Sequence, residues 1–327
     1  MGISQATALT LENANLQIFQ IAEDIFDPTN QRPAVFDSFT EVGTVGGELT
    51  IEHQVLEALA PIRKWDGERQ YRNVLLAVVR GLKETWEKTH GIDRKQSQTL
   101  TGQMLVARLQ KWLGSPEVDF DKMVHSVAFL GGTGPTGFDG VPLWSASHPR
   151  GRDGAVQSNT SATAWSVAQH NAVMMLGASI TDVYGENLGI DYDTIVCGAR
   201  LAPTIREFLK PERVQAYNAS GAEATASVVA VTTGPSAKNL TIYEGNGMRL
   251  IVNPRFSIGS AMENKYLYLD SKCGAKPFHF YRGESTLASL TAPELPNVFN
   301  NDQYIWGITH DVVMMAGAWH GAFYGGA

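Results

Sequence analysis

Residues 131–149 place the tightest limit on what this chain can fold into. They hold five glycines and three prolines, a composition that excludes a long helix or a long strand. The same stretch contains the apolar run Val-Pro-Leu-Trp at 141–144, which a solvated linker would not need. Helical patterns dominate before this stretch, and apolar strand-like runs follow it. We therefore predict an ordered crossing loop between two domains.

Length and composition indicate a folded protein with a sizeable core. The chain has 327 residues, of which 43% are hydrophobic and 18% charged. A net charge of −7 argues against a dedicated nucleic-acid-binding protein, because such proteins carry a strong basic excess. No apolar run reaches the roughly 18–20 residues of a membrane span, so no membrane partner is expected. The two cysteines, Cys197 and Cys273, lie far apart and are expected to be reduced thiols in a protein made in the cytoplasm.

The first hundred residues predict a helix followed by extended structure. Apolar residues recur at helical spacing over 11–25, which predicts an arm that packs on another element or on a neighbouring subunit. Short strands are expected over 35–60. In 62–95, an apolar run, a break at Gly81 and a polar, aromatic return predict a two-stranded hairpin, with a helix over 73–88 as the alternative.

The remainder of the chain alternates between helical and strand-like patterns. Residues 98–131 predict one long helix with a break at Gly114, or two helices end to end. A helix is also expected over 166–180 and another over 204–209. Residues 271–300 are expected to form loops with short extended pieces, and 321–327 a flexible tail. Strands are predicted at 192–197, 225–233, 248–252, 265–269 and 303–319, so the class is α+β.

Catalytic and cofactor signals are weak throughout. Residues 132–137 match G-x-G-x-x-G, but a helix precedes them and Pro142 follows, which is the wrong context for a dinucleotide. Asp139, Ser145, Ser147 and His148 suggest nucleophilic catalysis only by proximity, and no G-x-S-x-G motif occurs. The eight histidines show no metal-ligand spacing. We therefore predict no enzyme, no cofactor and no metal site, and we assign Glu117, Asp119 and Asp121 to a helix N-terminus.

Two groups of residues are the candidates for structural contacts. Tryptophans surrounded by mixed charges are typical of protein interfaces, where aromatic and arginine side chains anchor and charges set the register. The candidate intersubunit contacts are Arg63, Trp65, Glu68, Arg69, Lys83, Trp86 and Lys88. The candidate seam between domains comprises Phe138, Trp144 and His148.

The order of several motifs identifies a family resemblance. They are Arg-Lys-Trp-Asp-Gly-Glu-Arg at 63–69, Gly-Ile-Asp-Arg at 91–94, Phe-Asp-Gly-Val-Pro-Leu-Trp-Ser-Ala-Ser-His-Pro at 138–149, Asn-Leu-Gly-Ile-Asp-Tyr-Asp-Thr-Ile-Val at 187–196, and the ending 319–326. In this order and spacing, the chain resembles the major capsid (major head) subunit of Mu-like tailed bacteriophages and prophages.

The resemblance implies the Hong-Kong-97-type capsid fold and a structural function. Such subunits form hexamers and pentamers of an icosahedral head that encloses double-stranded DNA. The implied partners are further copies of the chain, a scaffold, a portal, decoration proteins and, without sequence preference, the packaged DNA. Assembly in the host cytoplasm and residence in the virion follow. The implied regions are an N-terminal arm at 1–50, a P-domain strand at 51–61, an E-loop at 62–95, a spine helix and crossing loop at 96–149, an A-domain at 150–298 and C-terminal P-domain strands at 299–327.

Two other functions remain open from the sequence. One is a cytoplasmic enzyme with a cleft around 132–149. The other is a structural protein of a phage tube or tail, which would assemble into rings or tubes.

Overall fold

The computed structural model describes most of the chain. The described residues are 5–27, 35–58, 75–114, 116–150, 155–209, 216–217, 223–224, 241–245, 247–256, 259–273, 276–292, 295 and 302–326. The predicted strand at 225–233 and the motif at 63–69 lie outside them.

The described helices are short or of medium length, with three-residue or four-residue 3-10 turns between some elements. They are α1 (Gln5–Phe26), α2 (Arg94–Thr99), α3 (Gly102–Leu113), α4 (Pro116–Ala128), α5 (Val167–Ser179) and α6 (Ala202–Leu209). The region 98–131 therefore forms two successive helices that are separated at Gly114, one of the two predicted arrangements. Thr101 caps α3 by accepting a hydrogen bond from the Met104 amide.

The described strands vary from two residues to nineteen. They are β1 (Thr40–Thr44), β2 (Thr50–Ala58), β3 (Leu75–Asp93), β4 (His148–Arg150), β5 (Ala155–Gln157), β6 (Thr160–Ser161), β7 (Thr194–Cys197), β8 (Ala216–Tyr217), β9 (Glu223–Ala224), β10 (Thr241–Gly245), β11 (Met248–Val252), β12 (Tyr266–Leu269), β13 (Phe278–Leu290), β14 (Gln303–Ala316) and β15 (Ala322–Gly325). Runs of strands and groups of helices follow one another along the chain, so the α+β class is confirmed.

Two large sheets contain most of these strands, and β4–β5 and β8–β9 form two separate two-stranded sheets. The five-stranded sheet has the order β1-β13-β14-β3-β2, and the six-stranded sheet has the order β10-β11-β7-β12-β15-β6. Residues of β7, β12 and β15 are all buried, because these strands lie inside the second sheet and are covered on both faces. The largest apolar cluster surrounds that sheet and includes residues of α4, α5, α6 and the loop before β4.

The N-terminal helix packs on its own chain. Leu11, Ala14, Ile18 and Ala22 are spaced along one face of α1 and are buried against α3 and β14. The expected packing of this segment on another element is therefore confirmed, and in this structure that element belongs to the same chain.

The prediction of a two-stranded hairpin that reverses at Gly81 is wrong. β3 is one continuous strand from Leu75 to Asp93, and Gly81 lies within it. Its first half pairs with β2 and its second half with β14. The helix over 73–88 is wrong for the same reason. We call β2 together with residues 75–82 of β3 the ribbon.

Two further expectations are wrong. Residues 278–290 are not a loop but the strand β13, which pairs with β14 and, in parallel, with β1. The tail is not flexible: β15 is buried and pairs with β12 and β6. β15, and β13 in its pairing with β1, gain hydrogen bonds from strands distant in the chain, which local sequence patterns do not reveal.

Candidate functional site

Trp144 anchors the loop that the sequence singles out. Its side chain is 1% exposed, and its indole Nε1 donates a hydrogen bond to the Ala128 carbonyl at 2.7 Å. Its ring stacks on Phe129 with centroids 5.8 Å apart and lies 5.4 Å from the Tyr324 ring. The end of α4, the loop and β15 therefore meet at one side chain, and the prediction of an ordered loop with a buried apolar run is confirmed.

Gly134 shows why the loop needs glycine. Its φ is 69°, a left-handed conformation that favours glycine. A Cβ at this position would also lie 2.6 Å from the Ala128 carbonyl oxygen and 3.3 Å from the Trp144 ring. The glycine thus lets the loop backbone approach the end of α4 and cover the tryptophan. Phe138, in the same loop, is half-buried and packs against both the main cluster and a small cluster beneath the ribbon.

His148 is fully buried in a polar network rather than placed for catalysis. Its Nδ1 lies 2.5 Å from Asp139 Oδ2, and its Nε2 lies 3.2 Å from Asn159 Oδ1. The Asn159 side-chain nitrogen donates to the carbonyls of Leu143 and Trp319, which orients its oxygen towards the histidine. Both imidazole nitrogens therefore face acceptors, and the ring ties the loop to the C-terminal segment.

The neighbouring serines do not complete a catalytic triad. The Ser145 hydroxyl lies 3.1 Å from the Ser147 hydroxyl, and the Ser145 amide donates to Asn159 Oδ1 at 2.9 Å. Since Nε2 of His148 bonds to Asn159, it is not placed to take a proton from either serine. A groove of about 860 Å³ lies elsewhere, between β1, β13 and α4, and none of its lining residues belongs to 131–149.

The predicted intersubunit residues fall into two sets. Arg63, Trp65, Glu68 and Arg69 lie outside the described residues. Lys83, Trp86 and Lys88 lie on β3.

Within the second set, both lysines form ion pairs inside the chain. Lys83 Nζ lies 2.8 Å from Asp311 Oδ2, and Lys88 Nζ lies 2.9 Å from Asp119 Oδ2. Trp86 is half-buried and packs against the main cluster. These three side chains thus contribute to the fold of the subunit, and their role between subunits stays a prediction.

The carboxylates of α4 do more than complement a helix dipole. Asp121 is buried between Arg255, whose Nε donates to Oδ2 at 2.5 Å, and His125, whose Nδ1 lies 3.2 Å from Oδ1. Burial alone would raise the pKa of Asp121, but the hydrogen bonds and charges of His125 and Arg255 outweigh it and lower that pKa. The Asp121–Arg255 ion pair therefore joins α4 to the turn after β11. The sequence did not predict this pair, because Arg255 lies far along the chain.

One face of the ribbon exposes apolar side chains. Val78 and Leu82 lie on the outward face and are 46% and 69% exposed. The residues that alternate with this face, Val79 and Gly81, lie on the inward face and are buried. Leu49, which is 77% exposed, lies next to Leu82, because its carbonyl accepts a hydrogen bond from the Lys83 amide. Apolar side chains grouped at a surface indicate a contact site. The sequence carried no alternating signal for this face, because Val78 and Val79 are both apolar and Arg80 lies between Val78 and Leu82.

Three possible metal ligands meet at the base of the ribbon. Glu41 on β1, His53 on β2 and His279 on β13 place their ligand atoms within 4.8 Å of one another. Burial, and then the neighbouring His53, lower the pKa of His279 to about 3, so its imidazole is neutral at pH 7. The sequence predicted no such group, because the three residues come from three separate strands.

Comparison with known proteins identifies the fold. No protein-family model and no curated protein matches the chain. Among solved structures, the chain is similar to the capsid of an empty GTA particle, with 12% identity, a TM-score of 0.50 and coverage of 91% of this chain and 92% of that chain. It is also similar to a chain of Mycobacterium phage Adephagia (16% identity, TM-score 0.47, covering 87% and 84%) and to the bacteriophage JBD30 capsid (10% identity, TM-score 0.45, covering 91% and 67%).

The described helices include none that is both long and apolar enough to span a bilayer.

At this level of identity, the similarity to the GTA capsid concerns the three-dimensional fold. It extends over nine-tenths of both chains. The chain therefore has the fold of a capsid protein.

Proposed function

We propose that this chain is the major capsid subunit of a Mu-like tailed bacteriophage. In this proposal, copies of the chain assemble as hexamers and pentamers into an icosahedral head that encloses double-stranded DNA. The observation that carries it is the similarity to the GTA capsid, with a TM-score of 0.50 over 91% of the chain. The ordered series of sequence motifs supports the Mu-like assignment.

The regions of the subunit follow from the proposed Hong-Kong-97-type fold. Residues 1–50 would be the N-terminal arm and 62–95 the E-loop, which includes most of β3. The spine helix would correspond to α3 and α4, within 96–149. Residues 150–298 would form the A-domain, and 51–61 and 299–327 the P-domain strands. The exposed apolar face of the ribbon supports a contact role for the E-loop, because a surface of this kind is stabilised when a second subunit covers it.

The partners of the subunit follow from the same proposal. A closed shell repeats one set of contacts around its symmetry axes, and many weak contacts together make it stable. A scaffold would guide assembly, a portal would occupy one vertex and decoration proteins would bind outside. The net charge of −7 fits a wall that holds DNA without adhering strongly to its phosphates. No enzymatic activity is part of the proposal.

Electron microscopy of the expressed protein tests the proposal. The full chain is produced with and without a scaffold protein supplied, and the products are separated by size and imaged after negative staining. Closed shells, or free hexamers and pentamers, are expected. Tubes or stacked rings would assign the chain to a tail or tube instead. A product that remains monomeric or dimeric under both conditions would overturn the assignment to a capsid.

A further inference from the structure

A cluster of two imidazoles and one carboxylate joins three strands at the base of the ribbon. Glu41 and His279 are direct partners in the β1–β13 ladder, and Glu41 Oε2 lies 3.2 Å from His279 Nδ1. The ring of His53 lies over that of His279, with centroids 3.8 Å apart. His53 belongs to the inward face of β2, together with Ile51 and Val55. The three side chains therefore meet where the ribbon folds over β1 and β13.

His279 is a buried polar group that lacks hydrogen bonds. Its side chain is fully buried, and neither ring nitrogen makes a hydrogen bond within the described part of the chain. Its Nε2 lies against Gly317, where a Cβ would approach to 2.7 Å, so the glycine provides the space for the ring. This contact directs Nδ1 towards Glu41. Buried polar atoms are almost always satisfied in proteins, and Nδ1 faces Glu41 at 3.2 Å without forming a hydrogen bond, which points to a ligand at this position.

His53 is oriented by a neighbouring hydroxyl. Its Nδ1 lies 3.1 Å from Tyr281 Oη, which leaves Nε2 available. The Tyr281 ring is in turn held against β1 at Gly43, where a Cβ would lie 2.5 Å from the ring. A hydrogen bond on one imidazole nitrogen that fixes the ring for metal binding through the other is the usual arrangement around protein-bound metals.

We propose that Glu41, His53 and His279 bind one divalent transition-metal ion, and that this ion is Zn²⁺. Two imidazoles and one carboxylate, with water as the fourth ligand, form a common tetrahedral zinc site. Ligand atoms at Zn–N and Zn–O distances of about 2.0–2.1 Å are roughly 3.3 Å apart in a tetrahedron, close to the 3.2 Å between Glu41 and His279. Mg²⁺ and Ca²⁺ fit less well, because they prefer oxygen ligands alone.

The bound ion would connect the ribbon to the sheet. It would join β2 to β1 and β13, strands that are not hydrogen-bonded to β2 in the five-stranded sheet. Binding to the folded chain alone would raise the unfolding temperature in proportion to the logarithm of the free Zn²⁺ concentration. The site lies within a single chain, so it does not depend on the proposed assembly.

Metal binding to the full-length protein tests this inference. The protein is freed of metal with a chelator, and Zn²⁺ is added in competition with a chromophoric chelator. One Zn²⁺ per chain and a higher unfolding temperature are expected, together with the visible absorption of a four-coordinate site when Co²⁺ replaces Zn²⁺. His53→Gln and Glu41→Gln, which change partly exposed side chains, should each bind Zn²⁺ at least about tenfold more weakly.

Matched variants separate this site from adventitious binding. His90→Gln and Glu87→Gln change a histidine and a glutamate of β3 outside the cluster and should bind Zn²⁺ like the unmodified protein. Tyr281→Phe should weaken binding about tenfold while preserving the Co²⁺ spectrum, as expected of a positioning residue. Three results would overturn the proposal: no stoichiometric Zn²⁺ uptake, unchanged affinity in His53→Gln, or tighter binding of Mg²⁺ or Ca²⁺ than of Zn²⁺.

Discussion

Trp144 concentrates several stabilising interactions in one side chain. It is almost fully buried, donates a hydrogen bond to the end of α4 and contacts the rings of Phe129 and Tyr324. Aromatic side chains of this size contribute strongly to a core through buried area and ring contacts. The loop that begins after α4 is therefore fixed to the C-terminal strand β15 by apolar packing, and not by backbone pairing alone.

Trp144→Ala should lower the free energy of unfolding by about 3–5 kcal/mol, the range for removal of a large aromatic side chain from a core. Trp144→Phe keeps a ring but loses the bond to the Ala128 carbonyl and should cost less. Phe138→Ala, which changes a half-buried ring of the same loop, is the control for loss of an aromatic group. Urea unfolding followed by circular dichroism measures all three. Equal stabilities of Trp144→Ala and the unmodified protein would contradict the anchoring role.

Local composition was enough to predict the burial of Trp144, but not the partners of His148. An apolar run among glycines and prolines is typical of an ordered loop, so residues 131–149 alone were enough to predict that Trp144 is buried. The second partner of His148, Asn159, lies beyond the next hairpin and carried no signal. The proposed zinc ligands Glu41, His53 and His279 are separated further still, and they meet only because β1 pairs with β13 and the ribbon folds over both strands.

At the scale of elements, β3 is the strand whose course was predicted least accurately from the sequence. Its glycine at 81 resembles a turn, because glycine is common where a chain reverses. In the structure, the side chains of Val313 and Met315 occupy the space that a side chain at 81 would need. Gly81 therefore serves close packing between β3 and β14 rather than reversal. A tertiary contact of this kind cannot be distinguished from a turn by local pattern.

Gly81→Ala tests this interpretation. Its Cβ would lie 2.4 Å from Val313 Cγ1 and 2.7 Å from Met315 Cε, so neighbouring side chains must move. We expect a loss of about 1–3 kcal/mol in the free energy of unfolding, the usual cost of overpacking. Gly46→Ala is the matched control, because nothing lies within 4 Å of a Cβ there. Thermal unfolding measures both, and equal effects would place Gly81 in open space.

At the scale of the whole molecule, the ribbon has two unlike faces. The inward face is packed against the subunit, and the outward face presents Val78 and Leu82. The exposed side chains add little to the stability of the single chain, and with the charged Arg80 between them they form a candidate contact surface. Periodicity was enough to predict the helical arm and the succession of helical and strand regions. It could not predict which face of the ribbon is exposed, because that depends on where β14 lies.

Leu82→Glu should prevent assembly without unfolding the subunit. A charge on a 69% exposed side chain costs the isolated chain little, but it would be desolvated in a subunit contact. Met175→Glu, which changes a 74% exposed side chain of α5, is the control and should leave assembly intact. Sedimentation reports assembly, and circular dichroism reports folding. Shells of Leu82→Glu in normal yield would remove the ribbon from the proposed interface.

The unbroken course of β3 also has a mechanical consequence. Its first half belongs to the ribbon and its second half pairs with β14, and the hydrogen bonds of that ladder run across the strand direction. A pull along the strand would load the whole ladder at once in shear, whereas a sideways pull would open it one pair at a time. The ribbon should therefore resist a force along its axis strongly and a force across its axis weakly.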